Sequence, residues 1–310
     1  MWYPVHRVCA SQEYYILYVH CRILCTDQIE MPSLRTLLAA TLAVAATTTQ
    51  AIGINDFSCK SAVHPNPVIL LHGLGATGYE DINVLQYWLQ ARDYCTFAKT
   101  YGAYSGFPFL GGLKPINESA SEIADYILEV KEKTGAEKVD LVGHSEGAMQ
   151  TLYVPKFHSE VVPALDRLVA IAPPTRGTSF AGLYNIAIDL GNNTKNAVDK
   201  AIDTVGCQAC TDLVTGGDAV QKLNDGKSIA QKGTHLTVIA SKHDELVTPQ
   251  KTSFVHEEGV DNVWIQDRCP LDSAGHLGQG YDPNVWHLVK NALDGTPDRK
   301  FVCLAGAPLR

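Results

Sequence analysis

The sequence predicts an α/β fold: a mostly parallel sheet covered by helices on both faces, with a helical insertion at the sheet's C-terminal edge. Three observations carry this. Short runs that are nearly all apolar alternate with longer amphipathic runs, the pattern of strands buried on both faces and joined by helices. One of those apolar runs, residues 139–142, leads through Gly143-His144-Ser145-Glu146-Gly147 directly into a helical stretch. The rhythm breaks only from Ser179 to Gly233, where glycines separate helical pieces and no strand pattern appears.

In chain order, residues 67–71 (PVILL) read as a buried strand bounded by Pro65 and Gly73, and residues 82–89 as a helix. Residues 96–101 supply a second strand, followed by a Gly/Pro/aromatic loop over 102–113. The next helix lies within 118–134, with Ile123, Ile127 and Val130 on one face and Gly135 at its end. Residues 139–142 are a strand, 146–153 a helix, 167–171, 237–240 and 263–266 strands, and 284–293 a helix. The insertion offers 183–190, 197–205 and 219–223 as helical pieces. With no repeat or interdomain linker, one domain with a cap at about 179–233 is the economical organisation.

The chain has 310 residues, 45% of them hydrophobic, which excludes a disordered or collagen-like chain. Its net charge of −8 and lack of any Lys/Arg cluster of four or more argue against a nucleic-acid partner. The nine cysteines are an odd number. Residues 31–51 resolve this: Arg35, a short apolar run over 37–46, then small residues ending at Ala51 have the order of a secretory signal peptide, too short to span a membrane stably. Met31 is the expected start, a longer signal or a membrane anchor being the alternative, and residues 1–51 are expected to be removed, leaving 52–310 as the mature domain. Removal takes Cys9, Cys21 and Cys25 and leaves six cysteines, an even set suited to disulfides in a secreted chain. Of the fifteen pairings, short loops favour Cys59–Cys95, Cys207–Cys210 and Cys269–Cys303. Two sequons, at Asn117 and Asn192, are permissive for glycosylation.

The chemistry centres on Ser145. A Gly-x-Ser-x-Gly between strand and helix is a nucleophile elbow, with glycines two residues either side because the turn leaves no room for side chains. A serine hydroxyl needs a histidine to take its proton and a carboxylate to orient that histidine, and in this arrangement the acid and then the histidine follow later strands. Residues 236–240 lead into Asp244, and 263–266 lead to His276, which are the expected acid and base. Glu245 adjoins Asp244 but is expected to point to the opposite side, and Asp272 precedes His276 too closely. His287, within a helix, and His256 read as surface or packing residues. The glycine-rich His72-Gly73-Leu74-Gly75 turn suits an oxyanion hole whose donors are the backbone N–H groups of Leu74 and Glu146.

Other motifs have weaker claims. Gly73 to Gly78 fits G-x-G-x-x-G, but the following strand ends Ala98-Lys99-Thr100-Tyr101 without the acid that would hold a ribose. Cys207-Gln208-Ala209-Cys210 has no second CxxC and reads as a structural disulfide rather than a redox pair or metal half-site. Phe107, Phe109 and Leu110 are either core filler or the wall of an apolar acyl pocket.

Residues 67–76, the Gly143 to Gly147 elbow, residues 172–178, residues 244–249 and Gly275-His276-Leu277 together resemble the secreted class 2 triacylglycerol lipases and esterases of the α/β-hydrolase fold. The resemblance implies an eight-stranded mostly parallel sheet, a Ser145–His276–Asp244 triad, and hydrolysis of lipid esters through an acyl-enzyme with no cofactor or metal. The signal-peptide pattern makes the mature chain an extracellular one, expected as a monomer that meets a lipid or other ester at an oil–water interface. Glu146 departs from the Gln or Met usual there, which adds a charge beside the nucleophile. A short-chain or polyester-type (cutinase-like) esterase is the alternative; a non-catalytic binding protein would require a broken triad.

Overall fold

The computed structural model describes residues 54–179 and 206–307. The leader, the helical pieces at 183–190 and 197–205, and the Asn192 sequon lie outside the described residues. Six strands form the sheet: β1 (Val68–Leu71), β2 (Thr96–Ala98), β3 (Val139–His144), β4 (Leu165–Ile171), β5 (His235–Ala240) and β6 (Asp261–Trp264). Their order is β2-β1-β3-β4-β5-β6, every pair parallel, and in register Ile69 lies opposite both Phe97 and Leu141.

Side chains alternate across this sheet, so each strand feeds two cores. Ile69, Leu71, Phe97 and Leu141 enter one core; Val68, Leu70, Val142, Val169 and Ile239 enter the other. The first is covered by α2 (Ile116–Thr134) and α3 (Glu146–Phe157), through Ile123, Ile127, Val130, Met149 and Leu152. The second is covered by α1 (Asn83–Gln90) and α8 (Pro283–Leu293), through Leu85, Leu89, Val285 and Val289. Double coverage explains why the strands read as continuous apolar runs. The helix ends follow local rules: Gly135 closes α2 at φ 65°, and the Asp282 side chain accepts the Asn284 N–H ahead of Pro283 at the start of α8.

Three expectations are corrected. The described residues hold six strands rather than eight, with no strand in 54–67 before β1. The second strand stops at Ala98 instead of Tyr101, because Tyr101 turns back so that its N–H meets His72 Nε2 at 3.3 Å. The last strand is Asp261–Trp264 rather than 263–266. Its pairing ends where its partner ends, at Ala240 opposite Trp264, and Ile265–Arg268 then forms a short helix, α6. From α6, Gln266 accepts the Lys242 N–H and donates to Ser241 Oγ, fixing the loop after β5.

Within the insertion, α4 (Gln208–Asp212) and α5 (Asp218–Leu223) are described. Leu213, Val220 and Leu223 join the first core, so this part packs as interior structure rather than as a loose cover. The three disulfides are Cys59–Cys95, Cys207–Cys210 and Cys269–Cys303. The last ties the loop before His276 to the C-terminal segment. Among the described residues no helix is long and apolar enough to cross a membrane. The remaining helix, α7 (Gly278–Tyr281), follows His276.

Candidate active site

Ser145 occupies the single residue between β3 and α3, at φ 56° and ψ −116°, a conformation that costs a non-glycine residue energy. The flanking glycines make the turn possible: a Cβ on Gly143 would come within 2.1 Å of the Gly147 carbonyl oxygen, and one on Gly147 within 2.2 Å of the Leu71 carbonyl oxygen. The turn is pinned by the Ser145 N–H donating to the Ile171 carbonyl at 2.9 Å.

Ser145, His276 and Asp244 are brought together at the C-terminal edge of the sheet. His276 Nε2 lies 2.8 Å from Ser145 Oγ, and His276 Nδ1 lies 2.8 Å from Asp244 Oδ2. Both partners of the serine are almost fully buried, at 1% exposure, while Ser145 keeps 7%. Burial alone would raise the Asp244 pKa. The His276 ring and the Val247 and Leu246 N–H groups outweigh it and hold Asp244 below the usual carboxylate range. An ionised Asp244 only accepts, so His276 Nδ1 carries the proton and Nε2 turns its lone pair to the serine.

The carrying loops are tightly held. Asp244 Oδ1 accepts the Leu246 and Val247 N–H groups at 2.9 Å each, and Gln279 Nε2 donates to Oδ2 at 3.0 Å. Ser241 donates to the Ala274 carbonyl at 2.5 Å, tying the acid loop to the histidine loop. The sequence competitors have other work. Glu245 does not point to the opposite side: its Oε2 accepts the His276 backbone N–H at 3.1 Å, tying the loop after β5 to the histidine loop. Asp272 accepts from Asn284 and from the Ala274 N–H. His287 stacks on Phe301, and His256 sits edge-on to Phe254.

The two expected oxyanion donors lie in the turn after β1, which holds Leu74, and at the first position of α3, which is Glu146. Leu74 sits between two committed amides, with Gly73 N–H donating to Asp81 Oδ2 at 2.7 Å and Gly75 N–H to the Gly111 carbonyl at 2.9 Å. Glu146, as the first helical residue, has an N–H that no preceding turn accepts. Its carboxyl is fully buried beside Tyr101 and Gln150, and burial pushes its pKa up to about 8 against the effect of those hydrogen bonds. The expected extra charge beside the nucleophile is therefore absent at neutral pH, since the carboxyl is protonated there.

Two residues that sequence reasoning missed bind these pieces together. His144 Nδ1 lies 2.7 Å from Asp81 Oδ1, and His144 Nε2 lies 3.0 Å from the His276 carbonyl oxygen. Burial disfavours both charges, but the pair's mutual attraction and hydrogen bond raise the His144 pKa and lower that of Asp81. With both ring nitrogens donating, one cation joins the elbow to the histidine loop, while Asp81 Oδ2 holds the Gly73 turn. His144 carries a faint signal as the variable residue of Gly-x-Ser-x-Gly; Asp81 carries none.

Phe107, Phe109 and Leu110 separate in the structure. Leu110 is 3% exposed within the first core, Phe107 packs partly against that core, and Phe109 is 54% exposed, edge-on to Phe107.

Residues 65–279 match the lipase (class 2) family. The chain is 36% identical over 118 residues to a triacylglycerol lipase of Pseudarthrobacter phenanthrenivorans, covering 37% of this chain and 35% of that protein. It is 36% identical over 118 residues to a triacylglycerol lipase of Burkholderia plantarii, covering 37% of this chain and 31% of that one. It thus spans about a third of the length of these curated relatives. Among solved structures it resembles lipase B of Aspergillus fumigatus, with a TM-score of 0.56 and 17% identity over 83% of this chain and 57% of that one, a likeness of fold.

Proposed function

The chain belongs to the class 2 lipase family with the α/β-hydrolase fold, and from that footing we propose that it is a secreted serine hydrolase cleaving carboxylic esters of lipids, a triacylglycerol lipase. The observation that carries this reading is the unbroken line from Asp244 through His276 to Ser145, with 2.8 Å at each link. His276 Nε2 takes the Ser145 proton as Oγ attacks the ester carbonyl, and Asp244 stabilises the imidazolium that forms. The developing oxyanion accepts the N–H groups of Leu74 and Glu146. Collapse expels the alcohol, which takes its proton from His276, and leaves an acyl-Ser145. Water, deprotonated by the same histidine, then releases the acid. None of these steps calls on a cofactor.

The three disulfides support an extracellular setting. The exposed Phe109 beside the half-buried Phe107 suits contact with an oil–water interface, and we assign both, with Leu110, to the acyl side of the site of a protein acting as a monomer. The test is hydrolysis of an ester series from acetate to long-chain acyl groups and of emulsified triacylglycerol, beside Ser145→Ala. Turnover of the long-chain and emulsified substrates by the parent alone is expected. Turnover of soluble short esters only would make it an esterase, and equal inertness of both proteins on every ester would overturn the reading.

A further inference from the structure

The reaction above uses the backbone of Glu146 and leaves its side chain, Tyr101 and His72 without a role, though all three are buried between the Leu74 turn and the first turn of α3. Tyr101 Oη lies 2.5 Å from the His72 carbonyl oxygen and 2.8 Å from Glu146 Oε2, yet a phenol has one hydrogen. The carbonyl can only accept, so the phenol donates there, and the contact with Glu146 needs a hydrogen from the carboxyl.

The groups packed around Glu146 favour that protonated form. From α3, Gln150 Nε2 donates to Oε1 at 3.0 Å. From the turn after β1, His72 supplies no charge: its Nε2 accepts the Tyr101 N–H, its Nδ1 donates to the Gly73 carbonyl at 2.8 Å, and burial lowers its pKa to about 4. The negative charge of Asp81 disfavours a second carboxylate nearby. Gly112, at φ +69°, leaves room that a Cβ would close, since it would come within 2.7 Å of Glu146 Oε2.

We propose that Glu146 is a positioning residue that works as a neutral acid: its O–H donates to Tyr101 Oη, the phenol donates to the His72 carbonyl, and this chain sets the spacing of the two oxyanion donors. The Leu74 turn hangs from one end of the chain and the Glu146 N–H from the other. Burial places the loss of this proton near pH 8. The resulting carboxylate draws the phenol hydrogen to itself, because hydrogen bonds to charged acceptors are stronger, and strands the His72 carbonyl. It also sets a negative charge beside a site where negative charge develops in the transition state.

The proposal rests on the serine-hydrolase reading, and kcat and KM for a soluble p-nitrophenyl ester from about pH 6 to about pH 10 test the two separately. Wild-type kcat is expected to fall by roughly tenfold or more on the alkaline side, with a midpoint near pH 8 and little change in KM. In Glu146→Gln the amide N–H donates to Tyr101 at every pH, so the ratio of its kcat at the two ends of the range should lack that limb. Tyr101→Phe breaks the chain outright and should lower kcat already at neutral pH. A wild type that turns over but shares its alkaline limb with Glu146→Gln overturns the proposal alone; a wild type without turnover at any pH overturns the functional reading, and the proposal with it. Thermal unfolding in a Ser145→Ala background needs no turnover: the Tm gain from Glu146→Gln should grow as pH rises, and a gain independent of pH overturns the neutral acid.

Discussion

Two buried carboxyls flank Ser145, and they are in opposite states. Asp244, 1% exposed, receives the Leu246 and Val247 N–H groups, the Gln279 amide and His276, and is held ionised. Glu146, with no exposed surface, receives one amide hydrogen from Gln150, and burial outweighs that bond and the contact with Tyr101, so it stays neutral to about pH 8. Burial favours the neutral form on both sides; the number of donors and the presence of an ionisable ring decide whether it is outweighed, as at Asp244, or wins, as at Glu146. The division suits the proposed reaction. A negative charge is useful behind the base, where positive charge develops, and harmful beside the oxyanion.

The largest expected effect comes from breaking the ionised side. Asp244→Asn removes the acceptor that keeps His276 Nδ1 protonated, and kcat should fall on the order of 10⁴-fold with KM little changed, read by steady-state kinetics. A loss comparable to that of Glu146→Gln at neutral pH would erase the distinction between the two sides.

A third buried carboxylate, Asp81, has a cationic partner as Asp244 does when His276 is charged, yet it serves structure. Asp81→Ala leaves the His144 charge unpaired and frees the Gly73 N–H, and should lower the urea-unfolding free energy by about 3–5 kcal/mol. The sign of its pH dependence follows from the directions of the two shifts. The lowered Asp81 pKa gives stability that is lost as pH falls through the carboxylate range. The raised His144 pKa gives stability that is lost as pH rises above the ordinary histidine range. The penalty of the variant should therefore be greatest between those limits.

The neutral side predicts the opposite slope. A carboxyl whose pKa is raised on folding favours the fold at low pH, and the cost grows as pH climbs from the usual carboxylate range to about 8. Glu146→Gln should thus be the more stable protein in alkali, by roughly 2–4 kcal/mol, each pH unit in that window carrying at most about 1.4 kcal/mol. Chemical denaturation at several pH values measures the difference, which should vanish in acid.

What the sequence made legible is what local geometry and chain order dictate. Ser145 is readable because a strand, a turn without side chains and a helix must adjoin it, and Asp244 and His276 because each follows a strand run in the expected order. The disulfides follow from short loops. The rest depends on residues that meet only in three dimensions. Asp81 and His144 are 63 positions apart, and Tyr101 and Glu146 are 45 apart. Glu146 is read from sequence as a charge because its neutrality is a property of the cavity and not of the residue. Glu245 is read as facing away because strand alternation, which separates it from Asp244, does not continue into a curled loop. The end of β6 is misread because Ile265 and Gln266 have strand character, while their place is decided by where β5 stops.

The smallest effect is the sharpest probe of redundancy on the ionised side. Gln279 donates to Asp244 Oδ2 at 3.0 Å, but its own Oε1 is buried with no partner. Gln279→Met keeps much of the volume, removes one donor from the acid and removes the orphaned acceptor as well, so the net cost should stay within about 1 kcal/mol. Two backbone N–H groups and His276 still hold Asp244, so kcat should change by no more than about tenfold and the acid limb of the pH–rate profile should keep its shape. Glu146 has no such reserve. Gln150 is its one amide donor, and Gln150→Met should raise its pKa further and carry the alkaline limb to higher pH. Matched pH–rate profiles of the two methionine variants therefore compare the sides directly: a shifted limb for Gln279→Met with an unmoved one for Gln150→Met would reverse the assignment of which carboxyl is redundantly held.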